Sequence, residues 1–520
     1  MTTATPAAAA DSARQPALDR PVRVVLPIIA VGLIARIVLA AVIGLGVDES
    51  YAVSVARDAS LSYFDHPPLS FWIAGAVAHL AGNEHRVVVR LPFILLFAGT
   101  TWLMFRLGAR LFGEWAGVYA ALLLNIAPVF SVSTGGWVLP DGPLMCFMLA
   151  CALCLARVLV DERAPVYPTR WWAAAGFFMG LALLSKYHGA FLFIGALLFV
   201  LTTRGARRWL AHPGPYLGVV IAAALCTPVL IWNARHGWVS FRFQSGRGTS
   251  HGVHLTPLLQ SIGGQAGYLL PWIWIPLVWL LVAALLRGPR DRARWFLACL
   301  AIGPIAVFTL ITLGGAPGLP HWEAPGYLML FPLLGAVVGD RLARGSVFTR
   351  RWLIGSTATF VALVIVLASD TATGWMARAA PPLFRRGDPT LQALDWTDLR
   401  RAVERGHLLD DAGMFVAAPS WVQAGKVAYA LGPGVPVLCV NANPHQFAYL
   451  RDAASFVGHD ALLVALDDGR VDARATFAPH FARIAPLGRV TLQRAGHAAF
   501  DLELYRGITL LRPYPTTLPR

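Results

Sequence analysis

The chain has 520 residues, 57% of them hydrophobic and 14% charged, with 18 tryptophans and a mean hydropathy of +0.59. This composition excludes a soluble globular protein and implies a polytopic membrane protein. A formal charge of +15 would suit nucleic acid on a soluble chain, but here the basic residues fall in short loops between apolar segments, so membrane lipids are expected as partners and no nucleic acid is.

Residues 1–22, rich in Ala, Pro, Thr and Arg, read as a disordered cytoplasmic start. The apolar run over 24–45 is long enough to span and lacks a cleavable pattern, so it reads as an uncleaved anchor. Residues 46–87 follow, with Asp48, Glu49, Arg57, Asp58, Asp65, His66, Glu84, His85 and Arg86 interleaved with short apolar turns, which predicts interfacial helices. Further spans are predicted over 88–107, 115–133, 142–160, 171–186, 188–203, 215–233, 258–286, 295–313, 324–340 and 351–369, about eleven with the first. Beyond 370 the pattern changes. Short apolar runs at 414–417, 435–440 and 461–466, a helix-like 420–431 and an alternating stretch near 500–504 predict a small α/β domain. The organisation is therefore 1–22 as a tail, 23–370 as the transmembrane domain and 371–520 as the C-terminal domain.

Arginine marks the cytoplasmic loops. With the N-terminus inside, the inner loops are 106–110, 161–170, 204–208, 287–294 and 341–351, all arginine-bearing. The opposite loops, 48–86, 134–141, 186–188, 234–256 and 314–323, carry less net positive charge and more Trp, His, Gly and acidic residues. The polar oddities thus share the outer face, and an odd span count puts the C-terminal domain there too.

On that face, Asp48 and Glu49 either cap the helix that follows or supply a general base whose basicity the low-dielectric edge tunes. In Asp65-His66-Pro67-Pro68 the prolines hold His66 in an extended turn, where it either caps or hydrogen-bonds locally or serves the site. Asp141 opens a helix and reads as a cap or a second carboxylate of the site. Lys186 is one of only two lysines, with Lys426, so it either snorkels to the interface or binds a lipid phosphate. Arg235, Arg242 and Arg247 sit in a loop that suits headgroups or the same phosphate, and His321-Trp322-Glu323 adds an aromatic, an imidazole and a carboxylate. Cys151 and Cys154 have redox-like spacing inside an apolar segment and read as packing, and no disulfide framework follows. No cluster has zinc-ligand spacing, so no obligatory metal or cofactor is expected, a divalent cation being left open.

Four motifs occur in order: Asp48-Glu49-Ser50-Tyr51, His66-Pro67-Pro68-Leu69, Pro140-Asp141-Gly142-Pro143-Leu144 and Leu183-Leu184-Ser185-Lys186-Tyr187. Together they resemble the bacterial branch of glycosyltransferase family 39, the protein mannosyltransferase-like and aminoarabinose transferase-like membrane enzymes, over residues 24–369. The resemblance implies a C-type glycosyltransferase fold and a polyprenyl-phosphate-linked sugar donor, with an active site at the outer surface of the inner membrane. It matches Asp48 to the catalytic aspartate and Lys186 to a lysine that contacts the donor phosphate. His66 stands where the aminoarabinose transferases carry Lys, which replaces a permanent cation with a titratable one. Residues 420–450, with Asn441-Ala442-Asn443-Pro444-His445, loosely resemble the outer domain of that group.

The expected site has Asp48, Asp141 and Glu49 as catalytic residues and Lys186, His66 and Arg247 on the donor phosphate. Tyr51, Tyr187, His188, His321, Trp322 and Glu323 are expected to contact substrate. The expected reaction moves one sugar, with inversion, to a lipid, glycan or protein acceptor of the envelope. A transporter or flippase of lipid-linked saccharides is the alternative, although repeated halves with charges near mid-membrane are then expected. A membrane-anchored binding protein with a dead site is a further one.

Overall fold

The structure, a computed structural model, describes residues 15–161, 165–246, 252–385, 387–467 and 472–513. Among the described residues eight helices are long and apolar enough to cross a membrane, from Pro21–Val42 through Val347–Thr373, and ten crossings result if each of two bent pairs is one span. The eleventh expected span corresponds to Pro168–Ser185, an 18-residue helix whose first turn, with Thr169 and Arg170, is less apolar than its neighbours. The span expected over 258–286 is two helices, Leu255–Leu269 and Pro271–Arg287, with Leu270 between them at φ 68. Pro271 explains the break, since proline has no N–H to continue the ladder and bars its predecessor from helical geometry.

One bent pair, Glu114–Asn125 with Val129–Gly136 at 79°, carries the chain into the site. Carbonyls freed by such a break need partners inside a membrane. Arg36 of the first span meets one of them, at Ser131. Its Nε donates to the Ser131 carbonyl at 3.1 Å, Nη1 to Gly32 O at 2.8 Å and Nη2 to Ser131 Oγ at 2.9 Å. A Cβ at Gly135 would lie 2.7 Å from Arg36 Nε and 2.9 Å from Phe130 O, so only glycine lets this packing form.

The C-terminal domain is a five-stranded sheet in the order β2-β1-β3-β5-β4, with β1 Phe415–Ala418, β2 Val437–Cys439, β3 Ala461–Leu466, β4 Phe481–Arg494 and β5 His497–Leu510. β1 pairs in parallel with β2 and β3, and β5 runs antiparallel to β3 and β4. The helix Trp421–Leu431 makes the crossover from β1 to β2. β4 has no counterpart in the sequence reading. Most of its residues face solvent, so it lacks the clean alternation that marks a half-buried strand.

The Trp421–Leu431 helix also docks the domain on the membrane part. A Cβ at Gly425 would lie 2.9 Å from Tyr51 Cα, so glycine permits direct backbone contact with the Val47–Ala56 helix. Lys426 Nζ donates to the carbonyls of Leu45 and Leu394, and Tyr429 Oη donates to Glu84 O at 3.1 Å. Tyr51, Phe71, Val138, Trp396 and Val427 lie in one apolar core, so the C-terminal domain and the segment after the first span bury their surfaces together. All six cysteines are free thiols.

Candidate active site

Asp48 is the second residue of the Val47–Ala56 helix, and its neighbour Glu49 determines how it is held. Glu49 Oε2 accepts from Gly46 N at 2.9 Å and from Arg90 Nη2 at 2.5 Å, while Oε1 accepts from Arg90 Nε at 2.8 Å and Val138 N at 3.0 Å. Arg90 also donates to Ile43 O at 2.7 Å and Gly44 O at 2.8 Å. Both side chains are nearly inaccessible, at 1% and 3%, so this ion pair ties the end of the first span, the Asp48 helix and the turn before Asp141 together. Burial is the largest influence on Asp48 and pushes its carboxyl above the usual range, with the charges of Asp65 and Glu49 adding to it and His445 opposing.

A cavity of about 470 Å³ opens beside Asp48. Tyr51, His66, Asp141, Lys186, Tyr187, His188, His321 and Trp322 line it with Asp48, so all five predicted outer loops reach one space. Lys186 is lifted off the end of Pro168–Ser185 by extended backbone (φ −157, ψ 145), and its Nζ lies 2.9 and 3.0 Å from the two oxygens of Asp141. The His188 ring stacks on Phe308 with centroids 4.7 Å apart, and Trp322 lies 5.3 Å beyond on Phe308. Opposite, Tyr51 Oη donates to Asp65 Oδ1 at 2.9 Å and accepts from Gln446 N at 3.1 Å. Burial would push Asp65 up, but the facing His445 and His66 and the Tyr51 hydroxyl outweigh it and hold the carboxyl below its ordinary value.

Three expected site residues lie elsewhere. Glu49 does not line this cavity, because its oxygens are taken up by the four donors above. Glu323 points away as well. Its Oε1 accepts from Gln265 Nε2 at 2.9 Å, and burial pushes its carboxyl up to about 7. Arg247 lies outside the described residues. In the other direction, Asp65, Trp421 and His445 line the cavity without having been singled out. Asp65 could have been found from its place beside His66. His445 and Trp421 could not, since no spacing links them to residues nearly 400 positions earlier.

A second cavity of about 550 Å³ shares Asp48 and Leu139 with the first and runs along apolar side chains that include Leu39, Trp137, Phe360 and Leu367. Asp48 thus stands where the two meet. Among the described residues no group of three or more His, Cys, Asp or Glu side chains is placed to hold a metal ion.

Residues 65–232 match the dolichyl-phosphate-mannose-protein mannosyltransferase family. A curated relative, lipid A galacturonosyltransferase RgtD of Rhizobium johnstonii, is 24% identical over 291 residues, 54% of this chain. The chain matches 58% of that relative's length. Among solved structures, ArnT from Cupriavidus metallidurans bound to undecaprenyl phosphate superposes with a TM-score of 0.62 at 18% identity over 93% of this chain and 98% of that one. Its apo form gives the same TM-score at 17% identity. Over residues 65–232 the chain is thus similar to that mannosyltransferase family, and this multi-pass membrane protein has the fold of a C-type membrane glycosyltransferase.

Proposed function

We propose that the protein transfers one sugar from a polyprenyl-phosphate donor to an acceptor of the cell envelope, lipid A or another glycolipid, at the outer face of the inner membrane. The observation that carries this reading is the position of Asp48 at the meeting point of two cavities, one polar and cationic, the other largely apolar. In this reading the donor phosphate lies beside Lys186 and the imidazoles, and the acceptor enters along the apolar side. Asp48 takes the proton of the acceptor hydroxyl as its oxygen attacks the anomeric carbon. The bond from that carbon to the phosphate oxygen breaks, polyprenyl phosphate leaves as an anion, and the anomeric centre inverts. The name of RgtD supports a glycolipid acceptor, and ArnT with undecaprenyl phosphate supports a lipid-phosphate carrier. The test is sugar transfer from undecaprenyl-phosphate donors by the purified protein and its loss in Asp48→Asn.

The base works only when ionised, and Asp48 is shifted upward, so kcat/KM is expected to fall as the pH drops through a value above the ordinary aspartate range of about 4. A pH-rate profile flat down to pH ~4 would place the base elsewhere.

The donor phosphate is expected to be met by Lys186 and the N–H groups of His66, His321 and His445, which line the cavity, without a metal cation. Transfer is therefore expected to persist undiminished in excess EDTA. A rate restored only by added Mg²⁺ or Mn²⁺ would overturn that expectation.

Orientation follows the arginine-bearing loops. Cysteines introduced at the exposed Asn83 and Leu319 are expected to react with an impermeant maleimide from the periplasmic side, and one at Arg344 only after permeabilisation. The reverse pattern would invert the site.

A further inference from the structure

The cavity has two poles that are built differently. At the first, Lys186 meets one carboxylate, Asp141, with both oxygens within 3.0 Å. At the second, a single carboxylate faces two imidazoles: Asp65 Oδ2 lies 4.0 Å from His66 Nε2 and 3.8 Å from His445 Nδ1. Two imidazoles beside one carboxylate bring more N–H donor capacity to this end of the cavity than Asp65 alone takes up, which suits a further oxyanion.

The second pole is fastened from several directions. Tyr51 Oη fixes Asp65 Oδ1, and Gln244 Nε2 donates to the Asp65 carbonyl at 2.6 Å. His445 belongs to the C-terminal domain and sits at φ 52, a left-handed conformation that costs a non-glycine residue energy and is kept where the surroundings impose it. Its neighbour Gln446 imposes it. The Gln446 N–H donates to Tyr51 Oη, and its side-chain oxygen accepts from Phe64 N at 2.8 Å. The His445 ring stacks on Trp421 with centroids 4.5 Å apart and planes at 26°. Asp65 and His445 are each 8% exposed, and both face the cavity. The other titratable or charged groups on the cavity wall are Asp48, Tyr51, Asp141, Lys186, Tyr187, His188 and His321.

We propose that His445 and His66, which flank Asp65, form an oxyanion subsite for the donor, so that the C-terminal domain supplies part of the binding site. This rests on the reading of the donor as a polyprenyl-phosphate sugar. Two donor groups have the required chemistry, the phosphate and the carboxylate of a uronic sugar, and the test separates them.

Binding is measured on the full-length protein in detergent with three probes: undecaprenyl phosphate alone, undecaprenyl-phosphate-linked galactose and undecaprenyl-phosphate-linked galacturonic acid. His445→Gln keeps a polar side chain and removes the ring. It is expected to weaken binding at least tenfold, with His445→Lys within about threefold of the parent because the ammonium donates strongly to an oxyanion. If all three probes weaken together, the subsite holds the phosphate. If only the galacturonate donor weakens, it holds the sugar carboxylate. His66→Gln, outside the C-terminal domain, reports the same pole should His445→Gln fail to fold, and is expected to weaken the same probes. Parent-like binding of all three probes by folded His445→Gln, or by His66→Gln in its place, overturns the subsite. A parent protein that binds no undecaprenyl phosphate overturns the donor reading and the subsite with it.

Discussion

Asp48→Asn is expected to lower sugar transfer by about 10²- to 10⁴-fold, the contribution of a positioned general base, equivalent to roughly 3–5 kcal/mol at 1.36 kcal/mol per decade. The substitution keeps size and hydrogen-bonding capacity while removing basicity. The helix start does not depend on Asp48, because Glu49 accepts from Gly46 N and the Arg90 guanidinium secures it. Folding and donor binding are therefore expected to survive. The diagnostic result is a protein that binds undecaprenyl phosphate like the parent and turns over at background rate. Full transfer by a folded Asp48→Asn protein would remove the base from Asp48.

Arg90→Leu is expected to destabilise the protein by about 3–5 kcal/mol, because it leaves the buried Glu49 carboxylate without its cation. The loss would also free the carbonyls of Ile43 and Gly44, which now accept from Arg90. Thermal unfolding in detergent measures it. Glu49→Gln combined with Arg90→Leu is expected to be less destabilised than Arg90→Leu alone, since the uncompensated charge is then gone. Equal stability of parent and Arg90→Leu would show that the pair is not what joins the first span to the Asp48 helix. Because Val138 N also bonds Glu49, the single variant is expected to disturb the turn that presents Asp141, and transfer should fall further than stability alone explains.

Much of the site could be read from the chain. Asp48, His66, Asp141, Lys186 and His321 each sit in or at the edge of a polar loop between apolar segments, and the arginine pattern of the other loops assigns these to one face. Both signals are local, carried by charge and hydropathy over a few residues. They could not distinguish a carboxylate facing the cavity from one facing a structural partner. Glu49 and Asp48 are adjacent, yet helical geometry turns their side chains about 100° apart, toward Arg90 in one case and the polar cavity in the other. Glu323 follows Trp322 in the same way and meets Gln265 instead.

The sequence by itself determined the membrane class, the common face of the motifs and the α/β character of the tail, since each follows from composition or short-range periodicity. Tertiary packing alone decided that the tail completes the cavity. Gly425 lets the Trp421–Leu431 helix touch the backbone of Tyr51, and Gln446 locks the loop that carries His445. Those contacts join residues nearly 400 positions apart through shape and hydrogen bonding, which leave no periodic trace along a chain.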